Sequence, residues 1–379
     1  MWGNVISSTR KVTIIIQLAF RKSFYFQSIP PIAMSDKVKV LITFIIEPNL
    51  IRKIKEVDSR VEVLYEPDLL GRPRYPCDQH GTPVQHTSAQ EKRWSDLLSQ
   101  TEVLFGYVLH TNISELPKAA PRLKWVQSPS AGVGQWVKRT GFSDLEIHLT
   151  TASGIHATPL AEFSMMAMLW FVKDAPRMIA EKERRHWERY AGTTLKGKTI
   201  AVIGLGSIGQ EVARLARSFG MHVIGTKRST DGVDPVSLNV ESLYPRTALK
   251  TMLAQADFVV ICLPHTLETE GLMGEEELAA MKPGAVLINI ARGIIVDEVA
   301  LINALNSGRL SGAALDVQTK EPLPPDSPLW GMPHVLLSPH SGSNVDSENV
   351  ELVKLFCDNL RRYLDGKPLR NVLDKNLLY

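Results

Sequence analysis

Cysteine is scarce in this 379-residue chain: Cys77, Cys262 and Cys357 stand far apart and none belongs to a C-x-x-C pair. That spacing excludes a disulfide framework and fits a reducing compartment. No hydrophobic run is long enough to cross a bilayer; "VTIIIQLAF" (12–20) falls well short of the roughly 20 residues that a spanning helix needs. Charge of one sign is nearly absent in the balance. A net +3 over this length gives no field for a nucleic acid or a membrane surface. Internal repeats and low-complexity tracts are missing too. The profile that remains, 44% hydrophobic and 22% charged, is that of a globular protein with room for two domains.

Acidic residues are absent from the first 33 positions, which carry Arg10, Lys11, Arg21 and Lys22. Residues 1–36 read as a leader, either transit-like or upstream of a working start at Met34. The expected location is cytoplasmic, or mitochondrial if residues 1–33 act as a transit peptide. The run "EKERRHWERY" (181–190) mixes both signs and reads as a solvated helix face. "CDQHGTPVQH" (77–86) lacks the ligand spacing of a metal site and reads as part of a polar surface loop. The whole loop 66–87 is long and rich in Pro and Gly, and loops of that length are usually functional or mobile.

From Lys37 onward, short runs rich in Val, Ile and Leu alternate with helical stretches. "VKVLITF" (38–44), "VEVLYEP" (61–67), "VLFGYVL" (103–109), "LKWVQSPS" (123–130) and "EIHLTTA" (146–152) form one series of buried strands. "AEFSMMAMLWFV" (161–172) is apolar all round and reads as a buried helix between domains. A second series follows: "TIAVIGLG" (199–206), "HVIGTKR" (222–228), "DFVVICLP" (257–264), "AVLINIA" (285–291), "GAALDV" (312–317) and "VLLSPH" (335–340). A last helix over about 345–364 carries Val350, Val353, Phe356, Leu360 and Leu364 on one stripe, with Gly366 at its end. Strands alternating with helices predict an α/β protein with parallel sheets covered on both faces.

Within "KTIAVIGLGSIGQEVARLARSFGMHVIGTKRS" (198–229), Gly204, Gly206 and Gly209 follow a strand and open a helix. The first permits a tight turn, the second lets backbone amides approach a pyrophosphate, and the third allows close packing of helix on strand. Ser207 and Ile208 occupy the helix start, whose free N–H groups attract an anion. An acidic residue that would bind a ribose is missing at the end of the next strand. Thr226-Lys227-Arg228 stands there instead. Cations would hold a 2′-phosphate through charge-assisted bonds, so the expected cofactor is NADP (as NADPH), with NAD possible at lower affinity.

The segments "LKWVQSPSAGVGQ" (123–135), "GKTIAVIGLGSIG" (197–209), "MKPGAVLINIARGIIVDEVALINAL" (281–305), "GAALDVQTKEPLPPDSPLW" (312–330) and "LLSPHSG" (336–342) occur in this order. They resemble the D-isomer-specific 2-hydroxyacid dehydrogenase family, which contains glyoxylate/hydroxypyruvate reductases and phosphoglycerate dehydrogenase. The resemblance implies two doubly wound parallel-sheet domains, a Rossmann coenzyme domain (153–341) inserted into a flavodoxin-like substrate domain (37–152 and 342–379). It implies a catalytic set of Arg292, Glu321 and His340, each placed after a strand. In chemical terms a guanidinium can hold a carboxylate and polarise a keto oxygen, and a carboxylate orients an imidazole and favours its protonated form. By resemblance, the backbone of Ala131 and Gly132 joins Arg292 in binding the substrate carboxylate. Asp316 faces the nicotinamide carboxamide, and Pro264, Thr269 and Ile290 lie along the cofactor. The implied reaction is NADP-dependent reduction of a small 2-oxoacid, by a homodimer with no nucleic-acid or membrane partner. Rival readings are a dinucleotide-sensing corepressor-like binding protein and a phosphite- or formate-type oxidoreductase, the formate type disfavoured by Glu321. Against phosphoglycerate dehydrogenase, the sequence is expected to carry no C-terminal regulatory domain.

Overall fold

The computed structural model describes residues 36–379. The expectations for residues 1–33 and for Met34 lie outside the described residues. Twelve named strands form two parallel sheets among these residues.

The first sheet has five strands in the order β2-β1-β3-β4-β5: β1 Val38–Ile42, β2 Val61–Leu64, β3 Val103–Phe105, β4 Trp125–Gln127 and β5 His148–Thr150. This is the flavodoxin-like order. The second has seven strands in the order β12-β11-β10-β9-β6-β7-β8: β6 Thr199–Ile203, β7 His222–Thr226, β8 Ser242–Tyr244, β9 Phe258–Ile261, β10 Ala285–Asn289, β11 Leu310–Leu315 and β12 Val335–Leu337. The chain reverses direction across the sheet between β6 and β9, so a crevice opens at the ends of those strands, the usual place for a dinucleotide. Strands buried on both faces cannot alternate polar with apolar residues. β9 and β10 are accordingly buried at every position.

The final helix, Glu348–Leu364, returns to the first sheet. Phe356 stacks on Phe105 at 4.2 Å and 8°, and Trp125 lies 5.3 Å from Phe356 and 5.5 Å from Tyr363. Each such pair adds about 0.5–1.5 kcal/mol beyond the area it buries. Gly366 ends the helix with φ +66: its N–H donates to Tyr363 O at 3.2 Å and the Lys367 N–H to Arg362 O at 2.8 Å. Only glycine adopts that left-handed geometry without penalty.

Five points of the sequence reading need correction. Val350 is exposed at the margin of the buried stripe, which runs through Leu352, Val353, Phe356, Leu360, Tyr363 and Leu364. β8 has no counterpart in the sequence reading; it is a three-residue edge strand with partial burial. The helix Ala157–Val172 is not buried all round. Ala161, Ser164, Met165 and Met168 face the second sheet's core, whereas Met166 is 45% exposed. In "EKERRHWERY" the helix stops at Arg184, Arg185 turns left-handed at φ +55, and Trp187 stands 96% exposed. Loop 66–87 is likewise more than a polar surface loop, since Cys77, Asp78 and Gln79 are buried. Among the described residues no helix is long and apolar enough to cross a membrane, and no cluster of His, Cys, Asp and Glu is placed to hold a metal.

Candidate active site

The glycine turn has the geometry its three positions predict. Gly204 takes φ +100, and a Cβ there would meet Cys262 O at 2.8 Å. A Cβ on Gly209 would meet Gly204 O at 2.0 Å and Val202 Cγ1 at 3.1 Å, so the helix Ser207–Ser218 can sit against β6 only because that side chain is missing. A Cβ on Gly206 would meet nothing within 4 Å. The turn is therefore open on the side where a pyrophosphate would lie. Gly206 caps the helix without a side-chain bond, which leaves the first N–H groups to a ligand. The residues fit a dinucleotide.

Beyond β7, Arg228 and Arg246 share one carboxylate: Glu268 Oε2 lies 4.0 Å from Arg228 Nη2 and 3.1 Å from Arg246 Nη1. The Tyr379 ring lies 5.0 Å from the Arg228 guanidinium carbon. Lys227 and Arg228 were expected here, but Arg246 was not. It follows the edge strand β8 and carries no motif, so only the fold brings it to Arg228. Thr269 and Pro264 are joined to each other, the Thr269 hydroxyl donating to Pro264 O at 2.8 Å. Thr269 thus builds the turn after β9. Ile290 is buried in the core, which leaves only its backbone for a cofactor.

The three residues Arg292, Glu321 and His340 follow β10, β11 and β12, at the strand ends where α/β sheets place ligands. His340 Nδ1 lies 2.8 Å from Glu321 Oε2. A carboxylate only accepts, so Nδ1 carries the hydrogen and Nε2 remains for another partner. The other carboxylate oxygen, Oε1, accepts the Gln318 N–H at 3.0 Å, which fixes the plane of the acid. His340 is held at φ +54, a strained position for a residue with a side chain, and its side chain is 43% exposed.

Asp316, 1% exposed, explains that strain. Its backbone oxygen accepts the His340 N–H at 2.8 Å. Its Oδ1 accepts the Ser338 hydroxyl at 2.6 Å and the N–H groups of Ser341 and Gly342 at 2.9 and 2.8 Å. A Cβ on Gly342 would lie 3.0 Å from the carboxylate. One buried oxygen therefore folds the whole "SPHSG" turn around His340. This scaffolding task was not anticipated for Asp316.

Arg292 reaches across to the first sheet. A Cβ on Gly132 would lie 1.7 Å from Arg292 Nη2, so the guanidinium rests directly on the Gly132 backbone. Nη1 donates to Ala291 O at 2.6 Å, and Asn289 Nδ2 donates to Arg292 O at 3.0 Å. Burial pulls the guanidinium below its ordinary range against the opposing pull of Glu321 and Asp316. A partly desolvated cation beside exposed backbone amides favours a carboxylate ligand. Ala131 and Gly132 are thus brought to Arg292, and the histidine–carboxylate pair and the open glycine turn stand at strand ends of one sheet.

Residues 165–342 match the family model for the D-isomer specific 2-hydroxyacid dehydrogenase NAD binding domain. The chain is 31% identical to the glyoxylate reductase of Aeropyrum pernix over 318 residues, 79% of this chain and 89% of that one. The chain belongs to the D-isomer specific 2-hydroxyacid dehydrogenase family. The D-3-phosphoglycerate dehydrogenase of Methanocaldococcus jannaschii is 32% identical over 244 residues, 62% of this chain but only 46% of that longer protein. Among solved structures, the NADPH-dependent glyoxylate/hydroxypyruvate reductase of Sinorhizobium meliloti, in complex with NADP and sulfate, superimposes with a TM-score of 0.70 at 26% identity, covering 90% of this chain and all of that one. This family member is therefore an NAD(P)-dependent 2-hydroxyacid dehydrogenase, and its two-sheet architecture is the family's own.

Proposed function

We propose that this dehydrogenase works as an NADP-dependent reductase of small 2-oxoacids, with glyoxylate and hydroxypyruvate as the leading substrates. The observation that carries the reading is the pair His340 Nδ1–Glu321 Oε2 at 2.8 Å, facing the Arg292–Gly132 contact. Arg292 and the amides of Ala131 and Gly132 hold the oxoacid carboxylate. Bound NADPH supplies a hydride to C2. His340 Nε2–H donates its proton to the developing alkoxide, while Glu321 stabilises the imidazolium beforehand and holds its ring in place. The substrate unit, residues 37–152 with 342–379, closes on the coenzyme unit, residues 153–341, and excludes water from the cleft. Loss of NADPH absorbance on adding either oxoacid tests the reading. No turnover of any small 2-oxoacid with either cofactor removes it.

The preference for NADP is supported by two cations, Arg228 and Arg246, lying together beyond β7 and linked through Glu268, which a 2′-phosphate would have to displace. Hydrogen bonds to charged groups are worth about 1.5–3 kcal/mol, or roughly 10- to 150-fold in affinity. Arg228→Ala is expected to weaken NADPH by that factor with little change for NADH. Lys227→Asp adds repulsion and weakens NADPH further. Fluorescence titration of both cofactors measures this. Equal wild-type affinities would make these cations ordinary surface charges.

Homodimer formation is supported by exposed apolar side chains. Met166 and Phe219 line one groove between the helices Ala157–Val172 and Ser207–Ser218, and Met178, Ile179 and Trp187 are exposed on or just beyond the helix Ala175–Arg184. Exposed patches of this kind usually mark an interface. Met166→Glu is expected to shift the sedimentation coefficient of the chain from dimer to monomer; a wild-type monomer would overturn the assignment.

A further inference from the structure

Loop 66–87 takes no part in the steps above, yet its centre is built to a fixed shape. Asp78, 2% exposed, accepts Arg74 Nε at 2.7 Å and the N–H groups of Arg74 and His80, both at 3.1 Å. Burial alone would raise this carboxyl. The Arg74 guanidinium and the surrounding N–H groups outweigh it and hold the acid well below its usual range. On either side of Asp78, the loop is fastened to the segment that follows the His340 turn. Cys77 Sγ donates to Asp346 O at 3.2 Å, and Gln79 Nε2 donates to Asn349 Oδ1 at 3.1 Å. Asn349 Nδ2 in turn donates to Glu47 Oε2 at 3.1 Å.

With residues 77–79 turned inward, His80 stays exposed. Its ring lies against Tyr107, with centroids 4.7 Å apart at 30°. Tyr107 is itself fixed: Thr43 Oγ1 donates to its backbone oxygen at 2.8 Å, and its hydroxyl shares a 2.6 Å hydrogen bond with Ser130 Oγ, next to Ala131 and Gly132. Burial pushes the Tyr107 hydroxyl up to about 12, so it stays protonated. Although His80 is exposed at one edge, the residues packed round its ring pull the imidazole below its ordinary range; the Arg74 and, less, the His340 charges add to this, and the Asp78 and Glu348 charges oppose it. A neutral imidazole both donates and accepts.

We propose that His80, backed by Tyr107, reads the substituent on C2 that is neither carboxylate nor oxygen, and selects oxoacids with a hydroxyl on C3. This rests on the reductase reading above. Arg292 with Ala131 and Gly132 would take the carboxylate, and His340 the keto oxygen. The remaining substituent faces the wall made by Tyr107 and His80. A hydroxymethyl group there gains one hydrogen bond from His80. Glyoxylate, which has only hydrogen at that place, gains none.

The test is the ratio of kcat/KM for hydroxypyruvate to that for glyoxylate, with NADPH and the full chain. His80→Phe keeps the ring on Tyr107 and removes the hydrogen bond. The ratio is expected to fall about tenfold, the worth of one neutral hydrogen bond. His80→Asn, which restores a donor and an acceptor, is expected to recover part of it. His80→Ala gives the same comparison if the phenyl ring disturbs the loop, with circular dichroism reporting the fold. A wild-type ratio retained in both His80→Phe and His80→Ala overturns this inference and leaves the reductase standing. Wild-type enzyme that turns over neither oxoacid removes both.

Discussion

Replacing His340 with alanine is expected to lower kcat by about 10²–10⁴-fold, the range for a general acid that donates in the transition state. The effect falls on kcat because the imidazole is not needed to hold the cofactor. The glycine turn and the cations after β7 lie on other strands, so NADPH affinity survives. The geometry predicts a second signature. Glu321→Gln keeps a hydrogen-bond acceptor toward Nδ1 but removes the charge, and it costs less than loss of the histidine itself. Stopped-flow reduction of glyoxylate under single-turnover conditions measures the chemical step directly. Near-normal turnover in His340→Ala would take the proton donor away from this residue.

Arg292→Ala has the second large effect, of a different kind. The guanidinium is half-buried and rests on Gly132, so the contact proposed for it with the substrate carboxylate would act in both ground and transition states. Loss of such a contact raises KM, and loss of its pull on the keto oxygen lowers kcat. A fall in kcat/KM of roughly 10²–10³-fold is expected, comparable to removal of one oxyanion donor. Arg292→Lys restores little, because an ammonium cannot present two parallel donors to a carboxylate. Gly132→Ala supplies the complementary test from the other side of the contact. Its methyl group would sit 1.7 Å from Nη2 and must displace the guanidinium, so its kinetics should resemble those of Arg292→Ala. Unchanged kcat/KM in Arg292→Ala would remove the clamp from the site.

The sequence made the strand ladders and the glycine turn legible because both are local. β9 and β10 are continuous apolar runs, and Gly209 must be small wherever a helix packs this closely on a strand. The strand-end positions of Arg292, Glu321 and His340 were legible for the same reason. What escaped was produced by distance along the chain or by surfaces. Arg246 meets Arg228 only through Glu268 and an edge strand of three residues, too short and too polar to give a pattern. Cys77, Asp78 and Gln79 are polar or small, so burial is unexpected until the segment around Asp346 and Asn349 folds onto them. The helix Ala157–Val172 misled by its composition. An exposed Met166 looks the same in sequence as a core methionine, and periodicity cannot separate the two when both faces are apolar. Val350 lies at the margin of the stripe in the first turn of its helix, where the apolar spacing alone does not separate a buried from an exposed valine.

The "SPHSG" turn hangs from Asp316, and Glu321 is fixed by the Gln318 amide, so the acid–base pair is anchored entirely to the seven-stranded sheet. Arg292 belongs to the same sheet, as does the glycine turn. On the proposed reading, the proton donor and the residues that would hold the cofactor therefore share one sheet, and their alignment would be set at folding rather than at each closure. The five-stranded sheet brings only the far side of the mould: the Gly132 backbone, Tyr107 and the loop that carries His80. Divergence within such a chain can alter that mould, residue by residue, and change which acid is accepted while the reacting geometry stays untouched.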